Sequence, residues 1–178
     1  MKSIFDFVLS LLLITFLLFP ILFCKLIMGK RLKLFTQTRI GQHGIPFTIY
    51  KFRTMKNGQV TQFGKFLRKT KLDELPQLFN ILTGDMTFVG PRPDVPGYYD
   101  QLKGSDRRVL ALKPGLTSLA AIKYRNEEDL LKKQEDPKAY NDTVIFPDKV
   151  RLNLEYLENR SFTYDVKIIG LTIISLFK

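Results

Sequence analysis

The chain opens on an apolar run from Ser3 to Cys24, interrupted only by one charge, Asp6, and one helix breaker, Pro20. At about 1.5 Å per residue, a helix made of this run matches a hydrocarbon core about 30 Å thick. A single lysine precedes it and no small-residue cleavage site follows, so it reads as a membrane helix and not as a signal peptide. Residues 1–29 are assigned to this helix and residues 30–178 to one further domain. Lys25, Lys30, Arg31 and Lys33 come directly after the run, and the positive-inside rule then keeps the remainder on the cytoplasmic side.

Alternation of apolar and polar positions takes over next. Lys33 to Ile40 and Phe47 to Met55, separated by the turn residues Gly41 to Gly44, predict a hairpin whose period of two puts Lys51 and Arg53 on one face. Phe63, Phe66 and Leu67 then fall at helical spacing, with Arg68 and Lys69 beside them. Leu72, Leu75, Leu78, Phe79 and Leu82 repeat at three and four residues and predict a helix ending near Gly84. Asp73 and Glu74 would sit in its first turn, where Pro76 is tolerated. Either Thr70 and Asp73 form a capping box, or Asp73 is itself the N-cap.

Downstream, Asn126 ahead of Glu127, Glu128 and Asp129 predicts a capped, dipole-matched helix that Asp136-Pro137 ends. Pro147 and Asp148 open another, with Val150, Leu154 and Leu157 on one face and Arg151 able to pair with Glu155. Val166 to Phe177 is apolar except for Lys167 and too short to span, which suits a core helix, an interfacial one, or both. The predicted fold class is α/β (α+β), with a small antiparallel hairpin and several helices.

Charge changes this picture. The net charge is +11, and from Lys25 to Leu72 the chain carries lysines and arginines but no Asp or Glu, so Asp73 is the first acid after a long basic approach. Such a field suits a polyanionic ligand. A carboxylate beside it can hold Mg²⁺, act as a base or attack phosphorus, and all three belong to phosphate chemistry. Arg92 stands between Pro91 and Pro93, a stiff turn that preorganises a guanidinium for bidentate phosphate binding. Taken alone, an acidic pair at a helix start is a cap, and Pro-Arg-Pro is a surface turn. The single cysteine, Cys24, excludes an intramolecular disulfide, and the single histidine, His43, falls in the hairpin turn with no metal-ligating neighbour.

FRTM from Phe52 to Met55, the stretch around LDELPQL from Leu67 to Leu78, GDM followed by VGPRP from Gly84 to Pro93, and KPGLT from Lys113 to Thr117 resemble, in order and spacing, the bacterial sugar transferases. These are monotopic phosphoglycosyl transferases. The resemblance implies transfer of a sugar 1-phosphate from a UDP-sugar to a polyprenyl phosphate, usually undecaprenyl phosphate, at the cytoplasmic face of the bacterial inner membrane. It assigns Asp73 as nucleophile and Glu74 as its partner in catalysis. Both are candidate ligands for Mg²⁺, the expected cofactor. Arg68, Arg92, Lys51 and Arg53, with Pro91 and Pro93, are the candidate substrate-binding residues. It further implies a first helix that re-enters the face it left, broken at Pro20, and contact with membrane lipid, while the residues themselves leave a re-entrant and a spanning helix both open.

Several positions depart from the family pattern. Phe19 replaces a common serine, the loop between Met55 and Phe63 is short, Ser118 and Ala121 alter a motif, and Asn153 stands where many members have aspartate. Two other classes compete with the transferase: a non-catalytic membrane protein binding anionic lipid or nucleic acid through its basic surface, and a Mg²⁺-dependent nucleotide diphosphate hydrolase. Charge alone gives no reason for the Asp73-Glu74 pair or for the Pro-Arg-Pro turn, so no nucleic acid partner is expected. The sequence names neither the sugar nor the oligomeric state.

Overall fold

A computed structural model describes residues 2–28 and 33–176, with the side chains of residues 16–28 and 176 outside the description. Helices and three two-stranded sheets alternate along the chain, a mixed α and β architecture. The residues form two compact units, one of residues 1–39 and 46–87, the other of residues 40–45 and 88–178.

The first unit begins with α1, Lys2–Met28. The backbone is helical through position 20, and the side chain of Pro20, the expected break, lies outside the described residues, as do those of Cys24 and Lys25 and all of Lys30 and Arg31. Among the described residues, no helix is long and apolar enough to cross a membrane. Asp6, the charge inside the apolar run, is buried and accepts a hydrogen bond of 2.5 Å from the Thr87 hydroxyl. A buried carboxylate is costly unless hydrogen-bonded, so this contact fixes which side of α1 faces inward.

The predicted hairpin forms as β1, Leu34–Ile40, and β2, Pro46–Phe52. β2 ends at Phe52, directly before Arg53, whose N–H donates to the Lys33 carbonyl at 2.7 Å. A second hairpin, β3 (Met55–Lys56) and β4 (Gln59–Val60), closes over Asn57 and Gly58, both at positive φ, the turn chemistry that two-residue hairpins require. The helix α2, Gln62–Thr70, follows and is capped by Thr61, whose hydroxyl accepts the Gly64 N–H at 2.9 Å.

The next helix starts later than its apolar spacing predicts. Lys71 turns left-handed (φ 58) and stops α2, Leu72–Glu74 form one 3₁₀ turn, and α3 covers only Gln77–Leu82. Neither expected cap forms. The Thr70 hydroxyl bonds back to the Phe66 carbonyl at 2.9 Å, and the N-cap of α3 is Pro76. The buried face is also rotated from the predicted one. Gln77, Leu78, Asn80 and Ile81 are buried, whereas Phe79 is 51% exposed. α3 packs against α1 and against β2.

The second unit resumes at Phe88 within β5, Thr87–Val89, whose continuation pairs with β6, Gly115–Thr117, through Gly90 N–H to the Thr117 carbonyl at 3.0 Å and Gly115 N–H to the Pro91 carbonyl at 2.8 Å. Short helices α4 (Leu119–Lys123), α5 (Glu127–Leu131) and α6 (Pro137–Tyr140) lead to α7, Phe146–Asn159, and α8, Phe162–Leu176. Asp136-Pro137 opens α6 instead of ending α5, because the Asp136 side chain accepts the Ala139 N–H at 2.9 Å. On α7 the buried positions are Val150, Asn153 and Tyr156, and Arg151 pairs with both Asp148 and Glu155. α8 buries Asp165 and Ile168 and exposes Val166, Ile173 and Ile174, so one face packs and the other does not.

Candidate active site

Asp73 and Glu74 lie on the 3₁₀ turn between α2 and α3 and are both buried, at 9% and 8% exposure. The left-handed Lys71 makes this possible, since it reverses the chain at the end of α2 and points the next residues inward. Asp73 Oδ1 is buried and without a hydrogen-bond partner. Burial, and behind it the charge of Glu74, pushes the Asp73 carboxyl above its ordinary range, against the opposing pull of Lys51 and Lys71. Buried like charges held this way disfavour ionisation and are found where chemistry needs them.

β2 brings Lys51 to this turn, and its position is set by α3. Asn80, completely buried, accepts the Tyr50 N–H at 3.2 Å and donates to the Thr48 carbonyl at 2.8 Å. Arg68, on the last turn of α2, donates from Nε to the Thr54 hydroxyl at 3.1 Å. Arg53 is exposed and does not figure among the charges acting on Asp73.

In the second unit, Arg92 is exposed between buried Pro91 and Pro93. The segment is held by the two bonds to β6 and by the Ile40 N–H, which donates to the Asp94 carbonyl at 2.9 Å. Gly115 is required there, because a Cβ would sit 2.1 Å from the Gly90 nitrogen. The buried Tyr156 hydroxyl is within reach of the Val89 carbonyl at 3.2 Å and of the Asp165 carboxylate, so α7 and α8 both brace the strand that leads into this turn.

A family model described as Bacterial sugar transferase matches the chain over residues 1–178. The chain belongs to that family. It is 35% identical over 199 residues to the UDP-glucose:undecaprenyl-phosphate glucose-1-phosphate transferase of Escherichia coli, covering 99% of this chain and 40% of that protein. The sugar transferase EpsL of Bacillus subtilis, named as uncharacterized, is 34% identical over 189 residues, covering 97% of this chain and 85% of EpsL. The undecaprenyl-phosphate galactose phosphotransferase of Salmonella typhimurium is 38% identical over 120 residues, covering 51% of this chain and 25% of that protein. The chain thus spans less than half the length of the E. coli and Salmonella relatives.

In this member of the family the departures from the family pattern have structural uses. Ser118 is buried and caps α4 by accepting the Ala121 N–H at 3.0 Å. Asn153 donates to the Tyr99 hydroxyl at 2.9 Å inside the core of the second unit. Gln77, Asn80 and Lys71 escape a reading by sequence. Gln77 and Asn80 look like polar interruptions of an apolar stripe, and only their partners, or the absence of them, reveal a role.

Asp73 and Glu74 are the residues that would hold a Mg²⁺ ion. Among the described residues no group of three or more His, Cys, Asp or Glu could hold a metal. Mg²⁺ commonly takes one or two protein carboxylates and completes its shell with water and substrate phosphate, which is the donor set that Asp73, with its unpartnered Oδ1, and Glu74 offer.

Proposed function

We propose that this chain is a phosphoglycosyl transferase that moves a sugar 1-phosphate from a UDP-sugar to undecaprenyl phosphate, the first membrane step of polysaccharide or glycoconjugate assembly. The observation that supports it is the Asp73 carboxylate, buried beside Glu74 with Oδ1 unpartnered. The relatives named as glucose- and galactose-phosphate transferases to undecaprenyl phosphate point the same way.

In this reading an Asp73 oxygen attacks the β-phosphorus of the donor. The new O–P bond forms as the bond to the bridging oxygen breaks, and UMP leaves with the electron pair. An oxygen of the lipid phosphate then attacks the same phosphorus, and Asp73 departs as carboxylate. Glu74 orients the incoming groups or takes a proton from the lipid phosphate. Lys51 and Arg68 bind phosphate oxygens, and Arg92 on its braced turn is a further phosphate-binding candidate. Mg²⁺ held by Asp73 and Glu74 supplies neutralisation of diphosphate charge when bound.

An acceptor with a polyprenyl tail requires a membrane. Support comes from exposed apolar side chains in each unit: Ile4 and Leu12 on α1, Phe66 on α2 and Phe79 on α3 in the first, and Ile173 and Ile174 on α8 in the second. These faces are assigned to lipid, with α1 inserted from the cytoplasmic side. The test is UMP release by detergent-purified protein over a panel of UDP-sugars, with and without Mg²⁺ and undecaprenyl phosphate. Release that needs both and disappears in Asp73→Asn is expected. Equal release without lipid and in Asp73→Asn would replace the transferase by a hydrolase.

A further inference from the structure

Asp73 Oδ1 is not the sole polar atom left without a partner at this turn. Gln77 Nε2 is also buried and without a hydrogen-bond partner, and the residue is only 2% exposed. The backbone between them is tightly wound: Glu74 N–H bonds to Lys71, Leu75 to Leu72, Leu78 to Leu75 and Phe79 to Pro76, all three residues back. Gln77 follows Asp73 by four residues, about one helical turn, and like Asp73 and Glu74 it is buried. Both atoms lack partners, so the amide does not spend its donor on the Asp73 oxygen.

A buried side-chain amide with an idle end is uncommon, because it gives up water without compensation. An apolar residue would fill the same space, as Leu78 and Ile81 do on this face. What one idle carboxylate oxygen and one idle donor jointly fit is a group with an electrophilic centre and acceptor-only oxygens around it. A phosphoryl group has that form. Turning the amide by 180° only exchanges which end is idle, and an acceptor-only ligand selects the NH₂ end.

We propose that the Gln77 amide is a phosphoryl-binding group that donates a hydrogen bond to a non-bridging oxygen of the phosphoryl being transferred. The inference rests on the transferase reading and adds a residue to it. Gln77 moves no proton. It holds the phosphoryl while the Asp73 O–P bond forms and the bond to the UMP oxygen breaks, and it stabilises charge on the equatorial oxygens.

The test compares full-length wild type with Gln77→Met, an apolar side chain of similar length, by kcat for UMP release, by melting temperature, and by the thermal shift that UDP gives beyond UMP. The expected result is kcat lower by about 100-fold, as for loss of one preorganised donor. The melting temperature should hold or rise, because an uncompensated polar group has gone, and the extra shift from the β-phosphate should disappear. A merely structural glutamine would lower melting temperature and kcat together, and that outcome overturns the proposal. So does wild-type kcat in folded Gln77→Met, which leaves the transferase reading intact. Should Gln77→Met not fold, Gln77→Asn, which draws the amide back by one methylene, replaces it, and wild-type kcat in that variant overturns the proposal equally. No UMP release by wild type with any donor removes the transferase reading and this proposal with it.

Discussion

Asn80 of α3 holds Tyr50 of β2: its side-chain oxygen accepts the Tyr50 N–H at 3.2 Å while its amide donates to the Thr48 carbonyl at 2.8 Å. One side chain thus completes the free hydrogen-bonding edge of a two-stranded hairpin and fixes the strand that carries Lys51. Asn80→Leu removes both bonds and leaves a strand N–H and carbonyl unsatisfied. Each such group costs about 1–3 kcal/mol, so a loss of about 2–6 kcal/mol is expected in denaturant unfolding. A loss below 0.5 kcal/mol, roughly the scale of a neutral surface change, would show that water takes over both bonds.

The dyad should behave in the opposite way. Burial and Glu74 raise the Asp73 carboxyl above its ordinary value, so the folded state holds that proton more tightly than the unfolded state does. The charged carboxylate therefore costs stability at neutral pH, and the cost is relieved as pH falls. Asp73→Asn is expected to end UMP release yet melt at or above the wild-type temperature at pH 7. A lower melting temperature would mean that the carboxylate is a structural ion and not a site held ready at the expense of stability.

Local patterns made much of this legible and long-range partners made the rest opaque. Alternation around Gly41 to Gly44 located β1 and β2, and the Asp73-Glu74 pair announced itself against the basic approach. The start of α3 did not, because Lys71 adopts a left-handed conformation that no periodicity encodes. The Leu and Phe spacing pointed to one buried face, yet Phe79 is exposed while Gln77 and Asn80 are inside. The Asn80 to Tyr50 bond spans 30 residues, and the Asp6 to Thr87 bond spans 81, beyond any local signal.

Two glycines provide a matched comparison. Gly115→Ala would place a Cβ 2.1 Å from the Gly90 nitrogen and 2.4 Å from its carbonyl oxygen, both backbone atoms that must shift. The strand pairing that braces Pro91 and Arg92 would open, with an expected loss of about 3 kcal/mol or more and of most UMP release. Gly170→Ala on α8 meets nothing within 4 Å. It should be neutral or stabilising by up to about 1 kcal/mol, the difference in helix propensity. Equal melting temperatures for the two variants would show that the close approach at Gly115 is relieved at no cost.

Asp148 supplies a pH-dependent contribution in the second unit. Hydrogen bonds from Lys123, and after it Tyr124 and Arg151, hold its carboxyl at about 2 against the ordinary 3.8, despite an opposing contribution from burial. The Lys123 contact is 2.7 Å and the Tyr124 contact 2.7 Å, so α4 and the start of α7 are joined through this one side chain. A depressed carboxylate means that the unfolded chain binds the proton more readily, so the contribution is fully present above about pH 4 and is lost as pH falls toward 2. Wild type should therefore melt above Asp148→Asn at pH 7, and the gap should narrow between pH 4 and pH 2. High salt should shrink the gap only in part, since the Tyr124 hydrogen bond is neutral on the donor side. A gap that is constant across that pH window would assign the effect of the substitution to lost packing or to the start of α7, and not to the ionised carboxylate.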